Sequence, residues 1–168
     1  MNEVAYGAFQ LNVLFDVKRG GKLYSYTNLV GESSGVLEQT LRGREADWND
    51  PGIVVDGVNA TTGKPNDVNV TSEEYFQVLF GIAEPYVYDA GYVKLRELRL
   101  GFEVPAKWTN RLGTSGLNVA LTGRNLITWK NVPSIDPEFA YGSNNYQGIE
   151  YALVSNPRSI GLSVQVRP

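Results

Sequence analysis

The sequence predicts an antiparallel all-β protein, on three observations. Four stretches alternate apolar and polar residues with a period of two, which makes strands with one apolar and one polar face. The longest, Gly116 to Trp129, runs to about fourteen residues, where about five or six is usual in a soluble sheet. The connections are long at one end of these strands and short at the other. A strand of this length crosses a bilayer, which takes roughly nine to eleven residues, or lies in a protein core. Alternation alone does not choose between them.

Composition narrows the field. Hydrophobic residues make up 42% and charged residues 20%, which excludes a disordered chain. The mean hydropathy of −0.23 decides nothing, because alternating strands average to a soluble-looking value. No apolar run approaches the eighteen or so residues of a membrane helix. The 168 residues include ten Tyr and three Trp, which favour strands and membrane interfaces alike. With no Cys and no His, serine–histidine, cysteine–histidine and zinc–histidine sites cannot be built within the chain. A net charge of −3 and a pI near 5.0 argue against a nucleic-acid partner. The opening MNEVAYGAF has no basic segment leading into an apolar one, so no signal peptide is expected in it.

The first strand is expected from Tyr6 to Val17, with Phe9, Leu11, Val13, Phe15 and Val17 on one face and Ala8, Gln10, Asn12 and Asp16 opposite, Leu14 being the exception. Gly20-Gly21 ends it. From Lys22 to Pro85 the pattern is mixed. Tyr24 and Tyr26 are expected to extend a strand, and Val36 to Asp47 to form a short helix. Asp50-Pro51-Gly52 is a turn signal, Ile53 to Val55 a short strand, and Thr71 with Glu74 a capping box opening a helix through Leu79. Alternation resumes from Tyr86 to Val104. There Val93 and Leu95 have the opposite parity to Leu98, Leu100 and Phe102, which predicts a bulge near Arg96. Pro105 to Ser115 is a short connection with a helical turn from Trp108 to Leu112, making the strands it joins antiparallel neighbours. After the strand Gly116 to Trp129 comes a second long loop, Lys130 to Asn156. Arg158 to Arg167 then sets Ile160, Leu162, Val164 and Val166 against Gly161, Ser163 and Gln165.

Long loops on one rim and short turns on the other are the asymmetry of outer-membrane barrels. The stretches VKLRELRLGFEVP, LNVALTGRNLITW, the Ile135-Asp136-Pro137-Glu138 loop, YQGIEY and PRSIGLSVQV, taken in order, resemble the C-terminal end of SusC/RagA-type TonB-dependent outer-membrane receptors. FQLNVLFDVKRGGKLY resembles the preceding strand of the same family. The resemblance covers essentially the whole chain. It implies a transmembrane β-barrel of about 22 strands, of which residues 1–168 supply roughly the last four, with long extracellular loops carrying short helices. It further implies that the plug and the TonB-contacting segment lie outside this chain. The implied partners are a SusD-type surface lipoprotein, the TonB complex and outer-membrane lipid. The implied role is nutrient import across the bacterial outer membrane, for substrates such as oligosaccharides or peptides. Family barrels normally end on an aromatic residue, whereas this chain ends Val166-Arg167-Pro168. Trp129, Tyr141, Tyr146 and Tyr151 are expected at or above the outer rim and Trp108 at the periplasmic one.

The candidate substrate contacts are the loop aromatics Tyr141 and Tyr146, the strand-end Trp129, and Arg124-Asn125 on the polar face. Anchoring the loop, or hydrogen bonding within the polar interior, competes with that reading for each of them. Asp136 and Glu138 are a carboxylate pair of the kind glycoside hydrolysis uses, yet Asp136-Pro137 is more simply a turn. Asp47, Asp50 and Asp56 lack the spacing of a calcium loop. Asn59-Ala60-Thr61 and Asn69-Val70-Thr71 match a glycosylation pattern common by chance. Neither a catalytic residue nor a cofactor or metal site is expected. The alternative is a soluble β-sandwich, a carbohydrate-binding or adhesion module, whose two apolar faces would pack on each other.

Overall fold

The computed structural model describes residues 2–44, 52–138 and 142–168. In chain order its strands are β1 Asn2–Tyr6, β2 Phe9–Lys18, β3 Lys22–Ser25, β4 Ile53–Val54 and β5 Asn69–Val70. They continue as β6 Val87–Asp89, β7 Tyr92–Glu103, β8 Gly116–Lys130, β9 Ile149–Glu150 and β10 Ser159–Arg167. The helices are α1 Tyr26–Ser33, α2 Ser72–Leu79 and the single turn α3 Ala106–Thr109. Tight helical turns occupy Glu38–Leu41, Glu84–Tyr86 and Asn110–Leu112. Two units result: Met1–Gly21, Ala90–Asn131 and Val154–Pro168 form one, Lys22–Asp89 and Val132–Leu153 the other.

The first unit is a five-stranded antiparallel sheet in the order β1-β2-β7-β8-β10. Its register aligns the apolar residues. Leu11 faces Leu100, Leu100 faces Leu121 and Leu121 faces Leu162. The expected bulge is present, with register shifts at Leu95/Glu97 and at Leu14/Phe15. Across from Arg96, β8 carries Asn125 in left-handed backbone at φ 51 and Leu126, whose side chain fills the space over Gly123. The bulge brings Val93 and Leu95 onto the apolar face despite their changed parity, opposite Trp129 and Ile127 of β8.

One strand was not legible. Tyr6 ends β1 rather than opening the first long strand, because Gly7-Ala8 is a two-residue turn that pairs Tyr6 with Phe9. Gly7 supplies the positive φ of 58° such a turn needs at its first position. So tight a reversal leaves the apolar pattern unbroken, and alternation cannot reveal it. The turn and the Pro105–Ser115 connection lie at the same end of the sheet, since Phe9 pairs with Phe102.

The second unit is built on β3, the centre of a three-stranded sheet in the order β6-β3-β9. β6 is antiparallel to it and β9 parallel. Tyr26 does not extend the strand as expected. Ser25 caps α1 by accepting from the Asn28 N–H, and the chain turns helical there. The segment expected as one strand from Tyr86 is split, for Glu84–Tyr86 is a tight helical turn with Pro85 in its first turn and β6 pairs with β3. α2 carries the predicted capping box, Thr71 with Glu74. Of the helix expected over Val36 to Asp47, Glu38–Leu41 forms one turn, and the remainder from 45 on lies outside the described residues, as does most of the Asp50-Pro51-Gly52 turn signal. Leu23, Leu29, Ile53, Phe76 and Tyr86 form a conventional core, each 6% exposed or less.

Candidate functional site

The five-stranded sheet is a two-faced wall. On the apolar face Ile160 and Leu162 are 73% and 71% exposed, and Phe9, Phe15, Val17, Leu121 and Val164 are each at least half exposed. On the opposite face Asn118 and Lys94 are buried. That is the reverse of a soluble protein. Each such apolar side chain gains about 1.5–3 kcal/mol on leaving water, so a face of this extent requires an apolar cover. The sandwich alternative fails on this point, because the apolar sides of β2 and β10 do not pack on each other.

The polar face holds a charge-assisted network. Arg96 donates from Nη2 and Nε to Asp16 Oδ2 at 2.6 and 3.1 Å. The Tyr92 hydroxyl donates to the same oxygen at 3.3 Å. Nearer the short-turn end, Arg99 Nη2 donates to Asn118 Oδ1 at 3.2 Å. Asn118 Nδ2 donates onward to Glu103 Oε2 at 3.0 Å. Arg124 lies 3.5 Å from Glu97 but is 65% exposed, so that pair adds little stability. Glu97, Arg99, Thr122 and Arg124 line a shallow groove of about 430 Å³ with Ser159 and Gly161 of β10. The groove presents guanidinium donors beside small side chains, a surface suited to polar or anionic groups.

No family model matches the chain. It is 27% identical over 172 aligned positions, 99% of its length, to TonB-dependent receptor P3 of Formosa agariphila. TonB-dependent receptor P26 of the same organism is 34% identical over 48% of the chain. The RagAB peptide transporter superposes on 96% of the chain with a TM-score of 0.59 at 18% identity. The RagAB peptide importer in its open-open state superposes with a TM-score of 0.60 at 16% identity. The chain is thus similar in sequence to TonB-dependent receptors over nearly its whole length and in fold to part of RagAB. It spans 16% of the length of receptor P3 and 9% of receptor P26.

The predicted contacts do not converge. Arg124 stands on the polar face of β8 and Trp129 on the apolar face, paired with Val93. Asn125 is structural: its left-handed backbone forms the bulge, and its Nδ2 donates to the Pro157 carbonyl at 3.2 Å. Tyr146 belongs to the second unit, half exposed in a turn whose Asn144 side chain accepts from the Tyr146 N–H. Tyr141, Asp47 and Asp50 lie outside the described residues. Asp136 accepts from the Glu138 N–H at 3.1 Å, the turn the sequence favoured over a carboxylate pair. Asn59 likewise accepts from Thr61 N–H at 2.9 Å to form a turn. Tyr151 packs edge-on to Tyr26 at 5.0 Å, anchoring its loop.

Other residues escaped the sequence reading. Glu150, 1% exposed, accepts from Ser25 Oγ at 2.8 Å and Thr27 Oγ1 at 2.7 Å. Those partners are more than a hundred residues away in sequence, so no local signal marks them. Tyr86 donates to Glu32 Oε2 at 2.9 Å, and Gln39 donates to Oε1 at 3.0 Å. Burial, then the Glu32 hydrogen bond and charge, hold the Tyr86 phenol well above its ordinary value. Tyr88 is raised for the same leading cause. The Asp16–Arg96 pair was also hidden, because it depends on the register around the bulge.

Proposed function

We propose that this chain is the C-terminal wall and loop segment of an outer-membrane active transporter for nutrients such as oligosaccharides or peptides. The observation that carries the reading is the inverted polarity of the sheet, an exposed apolar face backed by a charged, hydrogen-bonded one. An apolar face turned to lipid and a polar face turned to a lumen account for both. Strand length, the asymmetry of the connections and the superposition on RagAB support a large barrel, of about 22 strands in the family resemblance.

In this reading the chain rises along β2 from the periplasmic side, descends along β7, rises along β8 and descends along β10. The second unit is extracellular. The Arg99–Arg124 groove faces the lumen and contributes to substrate passage, while Trp129 anchors the outer interface. The plug, the TonB complex and a SusD-type lipoprotein complete the transporter. The curated relatives are receptors and the structural neighbours importers, which supports transport over catalysis.

The test compares Leu162→Arg with Ser163→Arg in the full-length receptor. The first is expected to block barrel assembly and the second to be tolerated, read as the folded fraction in outer-membrane preparations. Equal tolerance of both would sink the lipid-facing assignment. Residues 1–168 alone are not expected to import anything, because a five-stranded sheet leaves two open edges that lipid cannot satisfy. TonB-dependent uptake by this chain alone in vesicles would contradict the reading.

A further inference from the structure

Strand register lines up the cations of the wall's polar face. From the short-turn end outward, β7 and β8 set Arg99 opposite Thr122, Glu97 opposite Arg124, Lys94 opposite Thr128 and Tyr92 opposite Lys130. β2 extends the last two rows with Asp16 and Lys18. Alternate residues of a strand are about 7 Å apart, so the line from Arg99 to Lys130 runs roughly 20 Å along the strands. The carboxylates of this face do not cancel it. Asp16 is taken by Arg96 and Tyr92, and Glu103 accepts from Asn118. Among the described residues neither Lys18 nor Arg99 takes part in an ion pair. Arg124 meets Glu97 only at 3.5 Å, with its guanidinium largely exposed. Ser159, Gly161 and Ser163 of β10 are small and leave the groove beside Arg99 and Arg124 open. The surplus is local, for the whole chain carries −3.

We infer that this face is a track for an acidic oligomer, a substrate with carboxylates recurring along its chain that Lys18, Arg124 and Arg99 take in turn. The inference rests on the reading above, which turns this face to the lumen, and it names the chemical class of the substrate. A neutral oligomer would gain nothing from a line of fixed cations. A lone small anion would meet one row at a time, whereas an acidic chain spans several rows at once. The planar forks of Arg99 and Arg124 match carboxylates in particular. Fixed charge of one sign along a low-dielectric wall concentrates counter-ions, and Arg and Lys in the lining of a pore select anions.

The full-length receptor, purified in mild detergent, is titrated calorimetrically with hexagalacturonate and hexaglutamate, and with the neutral counterparts maltohexaose and hexaglutamine. At least one acidic hexamer is expected to bind on the order of tenfold more tightly than its neutral counterpart. Which one does so assigns the acid to a sugar or to a peptide, and either result upholds the track. The double variant Lys18→Gln, Arg124→Gln is expected to lose on the order of tenfold in that affinity, as the loss of two exposed charge contacts implies. The charge-preserving pair Lys18→Arg, Arg124→Lys is expected to bind as the wild type does, which separates charge from folding. Equal affinity of the wild type and the double variant would overturn the track. So would acidic hexamers that bind no more tightly than neutral ones. Failure of the barrel reading registers separately, as normal assembly of Leu162→Arg.

Discussion

The wall sheet and the loop unit are stabilised in opposite ways. In the loop unit Leu23, Leu29, Phe76 and Tyr86 are buried, as in any soluble domain. In the wall, leucines and valines stand exposed while Lys94 and Asn118 are buried. Burial is therefore a guide to core in one region and to a polar lining in the other. In the proposed reading one chain carries both because its two solvents differ, water around the loops and lipid against the wall. Hydrogen bonding divides along the same line. The wall satisfies its backbone through ladders between long neighbouring strands. The loop unit, with strands of four residues or fewer, relies on side-chain pins such as Glu150 and Glu32.

That contrast can be broken most severely from the loop side. Tyr86→Ala removes a fully buried ring and the phenol that satisfies Glu32, and is expected to cost about 3–5 kcal/mol. Hydrogen exchange should show lost amide protection across the β3–β6 pairing. Unchanged protection there would deny Tyr86 a core role. The same residue gives a pH signature. Its folded pKa is raised, so its contribution is complete below the ordinary phenol value and is lost as pH rises through the folded one. Tyr86→Phe is expected to flatten the alkaline limb of stability against pH.

From the wall side, Leu162→Arg, in the middle of β10, is expected to cost about 2–4 kcal/mol in a bilayer. Reversible urea unfolding in liposomes measures it. Arg96→Ala strips Asp16 of its guanidinium partner in a partly exposed site, and about 1–2 kcal/mol is the expected loss. Its mate Asp16→Asn should be milder, and a cycle combining the two substitutions should show coupling. Thr71→Ala, which opens the capping box of α2, is expected to cost about 1 kcal/mol. Glu74 is held below its ordinary value by the Thr71 backbone and side-chain hydrogen bonds, so the first turn of α2 should fray as pH falls through its folded pKa. Circular dichroism of an α2 peptide across that range would show it.

Sequence alone determined the long strands, their apolar faces, the bulge near Arg96 and the α2 capping box, because each is written in the period or spacing of neighbouring residues. It also located the two long connections. Tertiary structure decided what periodicity cannot carry. The β1–β2 hairpin hides in a two-residue turn that leaves the pattern intact. Tyr26 became helical because Ser25 caps it. Asp16 found Arg96, and Ser25 found Glu150, through register and contacts between distant segments. Which face of the wall is exposed was likewise undecided by alternation, which is the same for a strand in a core and a strand in lipid. Only the fold shows the apolar side uncovered and the polar side joined into a network.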